Sequence, residues 1–124
     1  MKKKYIYAIV VLVVFGLPLG YWGWYMVHPG KYDGFATCIA ESKTTFFGAF
    51  WCPHCQQQKA LFGKSEKLLP YVECSLPDGK SQTQVCIDNG IKSYPTWQFA
   101  DGSRVSGPQS LQTLSEKTGC VLPS

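Results

Sequence analysis

The stretch FFGAFWCPHCQQQKALFG, residues 46–63, places two cysteines at C-x-x-C spacing directly after an apolar run. Residues 44–50 are rich in β-branched and aromatic side chains, which is typical of a buried strand. Pro53 suits the first turn of a helix, and Gly63 suits its end. The sequence therefore predicts that Cys52 lies where a strand ends and a helix begins, the usual place for a site in α/β proteins.

The predicted elements after residue 30 alternate between helix and strand. In chain order they are helix 33–43, strand 44–50, helix 53–63, strand 70–74, helix 81–89, strand 94–100, strand 103–107 and a last helix 108–119. This order predicts an α/β fold with a mainly parallel sheet, which the final hairpin turns into a four-stranded mixed sheet flanked by helices. Asp33 is expected to cap the first helix, and Ser81–Gln84 to form a capping box.

The N-terminal segment has the features of a single transmembrane helix. Lys2–Lys4 precede residues 5–27, which contain no Asp, Glu, Lys or Arg. At helical rise this stretch reaches about 34 Å, enough to cross a hydrocarbon core of roughly 30 Å. Aromatic residues gather at 21–25, as in an interfacial belt, and the preceding lysines predict a cytoplasmic N-terminus.

The predicted organisation is an anchor and linker over residues 1–30 and a folded domain over residues 31–124. The expected location is a cell membrane, crossed once, with the domain on the extracytoplasmic side. A cleaved signal peptide is the alternative, for which Val14–Gly16 would be a weak cleavage site.

Charge and cysteine content narrow the function. The chain has 12 Lys or Arg against 8 Asp or Glu, and three of the lysines belong to the N-terminal segment. A nucleic-acid-binding domain would normally have a basic face, so no nucleic-acid partner is expected. Six cysteines in 124 residues favour an oxidising compartment.

Three uses of a C-x-x-C pair fit this sequence poorly. Haem attachment needs a histidine directly after the motif, where Gln56 stands. Structural zinc usually takes two close ligand pairs, but the other cysteines are widely spaced, so no metal is expected. A purely structural disulfide across a two-residue loop would be strained and labile.

A redox dithiol fits better. Cys52 at a helix N-terminus would have its thiolate stabilised by backbone N–H groups and the helix dipole. It would be the nucleophile in thiol–disulfide exchange, and Cys55, one turn later, would resolve the mixed disulfide. His54 could donate to the Cys52 sulfur or, when protonated, offset its charge. A stabilised thiolate favours the reduced form and makes the disulfide a stronger oxidant.

Three segments together resemble a known family: AFWCPHC at 49–55, GIKSYPTW at 90–97 and FADGSRVSG at 99–107. They resemble a thioredoxin-fold thiol–disulfide oxidoreductase over nearly all of residues 33–120. The extended pattern is similar to the thioredoxin-like domain fused to bacterial vitamin K epoxide reductase homologues, and to stand-alone membrane-anchored relatives of that domain.

The resemblance implies roles for several residues near the dithiol. Pro95 matches the family's cis-proline, which faces the two cysteines, and the backbone of Tyr94 would pair with the substrate chain. Trp51 matches the tryptophan that commonly precedes the motif and would contact substrate. The alternatives are core packing for Trp51 and ordinary strand packing for Tyr94 and Trp97, and packing is favoured for Trp97.

Two features bear on the direction and the proton chemistry. Pro53 and His54 form the dipeptide of strongly oxidising DsbA-type proteins, which implies an oxidant. Many thioredoxins have a buried acid six positions before the first cysteine, but here that position is Phe46. Glu73 is a candidate proton acceptor for Cys55, although a solvated edge carboxylate is the favoured interpretation.

The four other cysteines allow three pairings. A Cys74–Cys86 bridge joins a strand end to the next helix and also matches the family pattern, which leaves Cys38–Cys120. By loop entropy these bridges contribute about 3 and about 4.5 kcal/mol. A second redox role for Cys74 and Cys86 is the competing idea.

The expected function is therefore that of a membrane-anchored enzyme exchanging disulfides with cysteine-containing exported proteins. It would need no cofactor beyond the Cys52–Cys55 disulfide. The resemblance implies a quinone-linked membrane oxidase of the vitamin K epoxide reductase or DsbB type as recharging partner. Isomerase activity, a reductase role in cytochrome maturation, and a non-enzymatic metal-binding or protein-binding module stay open.

Overall fold

The computed structural model describes residues 2–124. Its elements are α1 (Lys2–Val27), α2 (Asp33–Glu41), β1 (Thr45–Gly48), α3 (Pro53–Ala60), a 3₁₀ helix (Gly63–Leu68), β2 (Tyr71–Glu73), α4 (Gln84–Asp88), β3 (Thr96–Gln98), β4 (Arg104–Ser106) and α5 (Leu111–Thr118). After α1, helices and strands follow in the predicted order.

Helix α1 is long and apolar enough to cross a membrane. Residues Leu12–Gly16 within it wind as a π-helical turn, just before Pro18, which removes one backbone donor. The helix ends at Val27, and Lys64 of the folded domain donates from Nζ to the carbonyls of Tyr25 and His28. A lysine at this position satisfies carbonyls that a helix end leaves without partners.

The four strands form one mixed sheet in the order β2-β1-β3-β4. β1 pairs in parallel with β2, and antiparallel with β3, which pairs antiparallel with β4. The mixed sheet flanked by helices is confirmed, but the prediction of a mainly parallel sheet was wrong. The connection through the short helix α4 leaves the C-terminal end of β2, passes β1 and enters β3 from the same end of the strands, so β3 runs antiparallel to β1.

The core lies on both faces of β1, because successive strand residues point to opposite faces. Phe46 is fully buried and stacks on Trp97, with ring centroids 4.6 Å apart and an interplanar angle of 9°. Phe47 faces the other way and packs with the Cys74–Cys86 bridge and Ile91. An apolar ring therefore fills the place where many thioredoxins have a buried acid.

Two predicted helix caps were wrong. Asp33 is the first residue of α2 rather than its cap; its carboxylate accepts from Ser65 Oγ at 2.7 Å and from the Gly30 amide at 3.0 Å. Ser81 does not open a helix: its hydroxyl donates to Asp78 at 2.6 Å, and α4 begins later. In both cases the polar side chain found a partner in a neighbouring turn instead of the helix end.

Three other boundaries also moved. Lys43 has φ 59°, a left-handed conformation that is incompatible with continuing α2, so that helix ends earlier than predicted. Gly63 begins the 3₁₀ helix instead of ending α3. The last helix begins at Leu111 rather than at Pro108, and Ser110 caps it by accepting from the Thr113 amide at 3.0 Å. Its predicted end at Gly119 is confirmed, with φ 74°.

Candidate active site

Cys52 lies at the junction between β1 and α3, as the spacing predicts. It is the N-cap residue of α3, with extended backbone angles of φ −78° and ψ 117°, and Pro53 occupies the first turn. Its Sγ accepts a hydrogen bond from the Cys55 amide at 3.4 Å. This amide and the helix N-terminus both favour negative charge on the Cys52 sulfur.

Cys55 is the more deeply buried of the two free thiols. It is 1% exposed, against 5% for Cys52. Burial raises the pKa of the Cys55 thiol to about 12, helped by its hydrogen bond with Cys52 and by the charge of a Cys52 thiolate. The two sulfurs therefore have different environments: Cys52 caps the N-terminus of α3, whereas the Cys55 thiol is buried and keeps its proton.

The Tyr94–Pro95 peptide lies against this dithiol, and it is cis. Cys52 Sγ is 3.7 Å from the Tyr94 carbonyl oxygen, so this backbone is adjacent to the sulfur that would be attacked. The Tyr94 hydroxyl is directed away and accepts from Gln82 Nε2 at 2.7 Å. The tyrosine side chain thus has a structural contact while its backbone borders the dithiol.

Trp51 and Trp97 have opposite environments. Trp97 is fully buried, as predicted. Trp51 is 48% exposed, so the core-packing interpretation was wrong for it. Its Nε1 donates to Ser75 Oγ at 2.9 Å, and its ring meets that of Tyr94 edge to face at 6.0 Å. With the half-exposed Phe50 beside it, Trp51 forms an apolar rim next to Cys52.

Among the described residues, 2–124, the His54 side chain does not form the expected hydrogen bond with the Cys52 sulfur. Its side chain is exposed, and its Nδ1 pairs with Gln57 Oε1 at 3.3 Å. The reason is position: as the second residue of α3, it follows the helix surface one turn towards Gln57. Any effect of His54 on Cys52 in this arrangement acts through charge rather than a hydrogen bond.

The two remaining pairs of cysteines are bridged, Cys38 to Cys120 and Cys74 to Cys86. Cys74 and Cys86 are both fully buried. A dissolved thiol cannot reach such sulfurs without opening the fold, which disfavours the idea of a second redox pair. Between residues 2 and 124, no group of three or more His, Cys, Asp or Glu side chains is arranged to hold a metal ion.

Comparison with known proteins supports this chemistry. Part of the chain is similar to the thiol-disulfide oxidoreductase LTO1 of Arabidopsis thaliana, at 46% identity over 81 residues. The match covers 61% of this chain but only 21% of that protein. No family model matches the chain. The similarity supports an oxidoreductase enzyme of the thioredoxin type.

Gln58 is a site-supporting residue that the sequence analysis missed. It lies on α3 and is fully buried. Its Nε2 donates to the Gln109 carbonyl at 3.0 Å. Its Oε1 accepts from the Gln109 amide at 2.6 Å and from Trp97 Nε1 at 3.3 Å. One side chain thus joins the helix of the dithiol to β3 and to the segment before α5. Nothing in its sequence neighbourhood, three consecutive glutamines, distinguishes it from the two exposed ones.

Glu73 also differs from its favoured interpretation as a solvated edge carboxylate. It is partly buried and accepts three hydrogen bonds: from the Tyr71 hydroxyl at 2.8 Å, from the Ser75 amide at 2.9 Å and from the Phe50 amide at 3.2 Å. The carboxylate is therefore fixed between β2 and the segment that leads into Cys52.

Proposed function

We propose that this chain is a membrane-anchored thiol–disulfide oxidoreductase that accepts electrons from cysteine pairs of exported proteins. The observation that carries the proposal is the division of the dithiol. Cys52 Sγ sits at a helix N-terminus beside the Tyr94 carbonyl, and the Cys55 thiol is buried behind it. The 46% identity to a named thiol-disulfide oxidoreductase supports the reaction class.

The reaction begins with the Cys52–Cys55 disulfide. A substrate thiolate attacks Cys52 Sγ, a substrate–Cys52 bond forms, and the pair of electrons from the broken S–S bond moves to Cys55, which takes up a proton. A second substrate thiolate then attacks the substrate sulfur of the mixed disulfide and releases the Cys52 thiolate. The substrate dithiol has been oxidised to a disulfide, and the enzyme has been reduced to the dithiol.

The direction follows from the stabilisation of the Cys52 thiolate. The Cys55 amide and the dipole of α3 favour the reduced form of the enzyme, which makes its disulfide a stronger oxidant. For this two-electron couple, about 1.4 kcal/mol of such stabilisation corresponds to roughly 30 mV. The Pro-His dipeptide inside the motif supports the same direction through its resemblance to DsbA-type proteins.

The substrate groove would be formed by the apolar rim and the cis-proline turn. Trp51 is exposed beside Cys52, and the backbone of Tyr94 and Pro95 borders the sulfur. An extended substrate chain pairing with this backbone would bring its cysteine to Cys52 Sγ.

Helix α1 would anchor the enzyme with the lysines in the cytoplasm and the folded domain outside. A quinone-linked membrane oxidase of the vitamin K epoxide reductase or DsbB type would reoxidise the dithiol. Both points rest on the lysine pattern and on the resemblance to domains fused to vitamin K epoxide reductase homologues. Protease protection in intact and lysed cells tests the topology; a domain that is digested only after lysis would contradict it.

Equilibration of the full chain with glutathione tests the direction. We expect a redox potential well above that of thioredoxin, which is about −270 mV. A value at or below the thioredoxin potential would exclude the oxidant and favour a reductase. We expect His54→Ala to make the potential more reducing, because a protonated imidazole would favour the thiolate; an unchanged potential would remove His54 from the mechanism.

Substrate trapping tests the reaction itself. Thiol–disulfide exchange is reversible, so the Cys52 thiolate of a Cys55→Ala variant can attack disulfides of exported proteins. We expect this variant to hold those proteins as mixed disulfides, because Cys55, which would displace the substrate from Cys52, is gone. The matched control is Cys52→Ala, which keeps one thiol but lacks the attacking one. Equal capture by the two variants would contradict the assigned roles.

A further inference from the structure

The proposed reaction leaves one proton without a carrier. Cys55 must gain a proton when the disulfide opens and lose it when the disulfide closes, yet burial holds its pKa at about 12. The position where many thioredoxins place an acid is Phe46, whose ring is fully buried against Trp97. The following steps rest on the proposed function and identify the group that handles this proton.

Gly48 separates Cys55 from the side chain of Tyr71. A Cβ at Gly48 would lie 3.0 Å from Cys55 Sγ, 2.7 Å from Tyr71 Cε2 and 3.4 Å from the Tyr71 hydroxyl. The thiol and the phenol therefore approach the same point, from α3 and from β2. Only a glycine leaves this space free, since any Cβ here would clash with the tyrosine ring.

The parallel pairing of β1 with β2 creates this juxtaposition. Phe46 is opposite Tyr71, and Gly48 is opposite Glu73. Tyr71 and Glu73 are two residues apart, so their side chains point to the same face of the sheet. That face is the one on which Tyr71 packs against the core cluster that contains Cys55.

The Tyr71 hydroxyl donates to Glu73 Oε2 at 2.8 Å, and Glu73 Oε1 accepts from the amides of Ser75 and Phe50. All three bonds are accepted by the carboxylate, so the Tyr71 oxygen and Glu73 Oε2 are already connected by a hydrogen bond along which a proton can move. Phe50 lies two residues before Cys52, which connects the carboxylate rigidly to the site.

Other charges also face Tyr71. Lys59 Nζ lies 3.5 Å from the centroid of its ring, and Glu66 and Lys67 line with it a surface cavity of about 290 Å³. Burial is the main cause that raises the pKa of Tyr71 above its usual range. Its hydrogen bond to Glu73 raises this pKa further, and so do the charges of Glu73, Cys55 and Cys52. Tyr71 thus resists holding a negative charge, which suits a group that passes a proton on rather than one that stores charge.

We propose that Tyr71 and Glu73 form a proton relay for Cys55. When the enzyme is reoxidised, the Cys55 thiol gives its proton to the Tyr71 oxygen, directly or through one water, while the Tyr71 proton moves to Glu73 Oε2. At this stage Cys52 is joined to the reoxidising partner as a mixed disulfide. The Cys55 sulfur attacks Cys52 Sγ and forms the Cys52–Cys55 bond; the bond between Cys52 and the partner breaks, and its electron pair leaves on the partner thiolate. When a substrate opens the disulfide, the same protons return from Glu73 through Tyr71 to the departing Cys55 thiolate.

The test uses full-chain protein with glutathione bound to Cys52 as a mixed disulfide. Its closure by Cys55 releases glutathione in a first-order step, measured by stopped flow between pH 5 and pH 9. We expect Tyr71→Phe and Glu73→Gln each to slow closure at pH 7 by about tenfold or more, a conservative value for general base catalysis. The deficit shrinks as pH rises, because hydroxide replaces the relay.

The control variant is Tyr32→Phe, which removes the hydroxyl of another partly buried tyrosine, one that packs on Phe62 away from the dithiol. We expect it to close at the wild-type rate. The alkylation rate of Cys52 should stay within about twofold in all variants, whereas a distorted active site would change it. Tyr71→Phe keeps the ring, whose centroid lies 5.1 Å from that of Phe46. If the Tyr71→Phe variant nevertheless fails to fold, the closure rate of Glu73→Gln decides the question.

Closure within twofold of wild type at every pH in either variant would overturn the relay. This outcome is distinguishable from failure of the proposed function. If the wild-type mixed disulfide does not close at all, the oxidoreductase proposal itself fails. If wild type closes and the variants match it, only the relay fails.

Discussion

The two free thiols should differ widely in their reaction with an alkylating agent. Folding raises the pKa of Cys55 from its ordinary value of 9.0 to about 12. At pH 7 about one Cys55 in 10⁵ is then a thiolate, against about one in 100 for an ordinary thiol, and only the thiolate reacts. Ionisation alone predicts a rate about a thousandfold below that of an unperturbed cysteine, and an exposure of 1% lowers it further.

The assay is iodoacetamide labelling of the reduced full-chain protein, followed by mass spectrometry of the peptides containing Cys52 and Cys55. We expect Cys52 to be labelled first and almost alone at pH 7. Labelling of Cys55 should still rise about tenfold for each pH unit above pH 9, where an ordinary thiol would level off.

A Cys52→Ala variant provides the control. It removes the hydrogen bond and the charge that help to raise the Cys55 pKa, but leaves burial, which is the largest cause. Cys55 should therefore be labelled faster than in the wild type, yet more slowly than a free peptide cysteine. The reasoning is refuted if wild-type Cys55 is labelled at pH 7 as fast as Cys52, or if its rate levels off near pH 9.

Three further predictions concern stability, measured by denaturant unfolding of the full chain in detergent. Gln58→Leu removes the partner of the buried Trp97 Nε1 and of two half-buried backbone groups of Gln109, and should cost about 3 kcal/mol. Gln57→Leu on the exposed face should change little, and equal effects of the two variants would contradict this. Replacing Cys38 and Cys120 by alanine opens a loop of 82 residues and should cost about 4.5 kcal/mol, and an unchanged midpoint would be the opposing result. Asp33→Asn should destabilise the fold at pH 7, because hydrogen bonds from the Ser65 hydroxyl and the Gly30 amide lower the pKa of the Asp33 carboxyl below 3.8. The stability that this carboxylate contributes is present above pH 3.8 and is lost as the pH falls. The difference between the variant and the wild type should therefore vanish in acid.

The order of elements and the place of Cys52 could be predicted because they rest on local patterns. A run of β-branched and aromatic residues predicts a strand from the run itself. Pro53 favours a helix start and Gly119 favours a helix end, and each does so within one turn of its helix. The sense of β3 could not be predicted in this way, because it depends on the end of the strands from which the α4 connection enters β3. Asp33 failed as a cap for a similar reason, since one of its partners, Ser65, is 32 residues away. Ser81 failed for a local reason, because Asp78, three residues before it, takes its hydroxyl.

In the candidate site too, features that depend on local sequence could be predicted, whereas features that depend on distant contacts could not. Cys52 and Cys55 are recognised by spacing, but Gln58 acts through a residue 51 positions away and has no local signal. For Trp51 the sequence left core packing open beside a substrate contact, and a residue on another loop, Ser75, holds its side chain at the surface.

The proton-handling group is a mixed case, because the sequence marks Glu73 as a candidate acceptor but favours a solvated edge carboxylate and gives Tyr71 no role. A search for an acid along the strand that carries the dithiol ends at Phe46. In a parallel pair, however, the neighbouring strand supplies side chains to the same face at every second position. Tyr71 and Glu73 have that spacing, and Gly48 is the small residue that lets them approach Cys55. Phe46, which stands where many thioredoxins have an acid, and Gly48, two residues later, thus belong to one arrangement. In it β1 leaves space beside Cys55 at Gly48, and β2 provides Tyr71 and Glu73, the groups that transfer the proton.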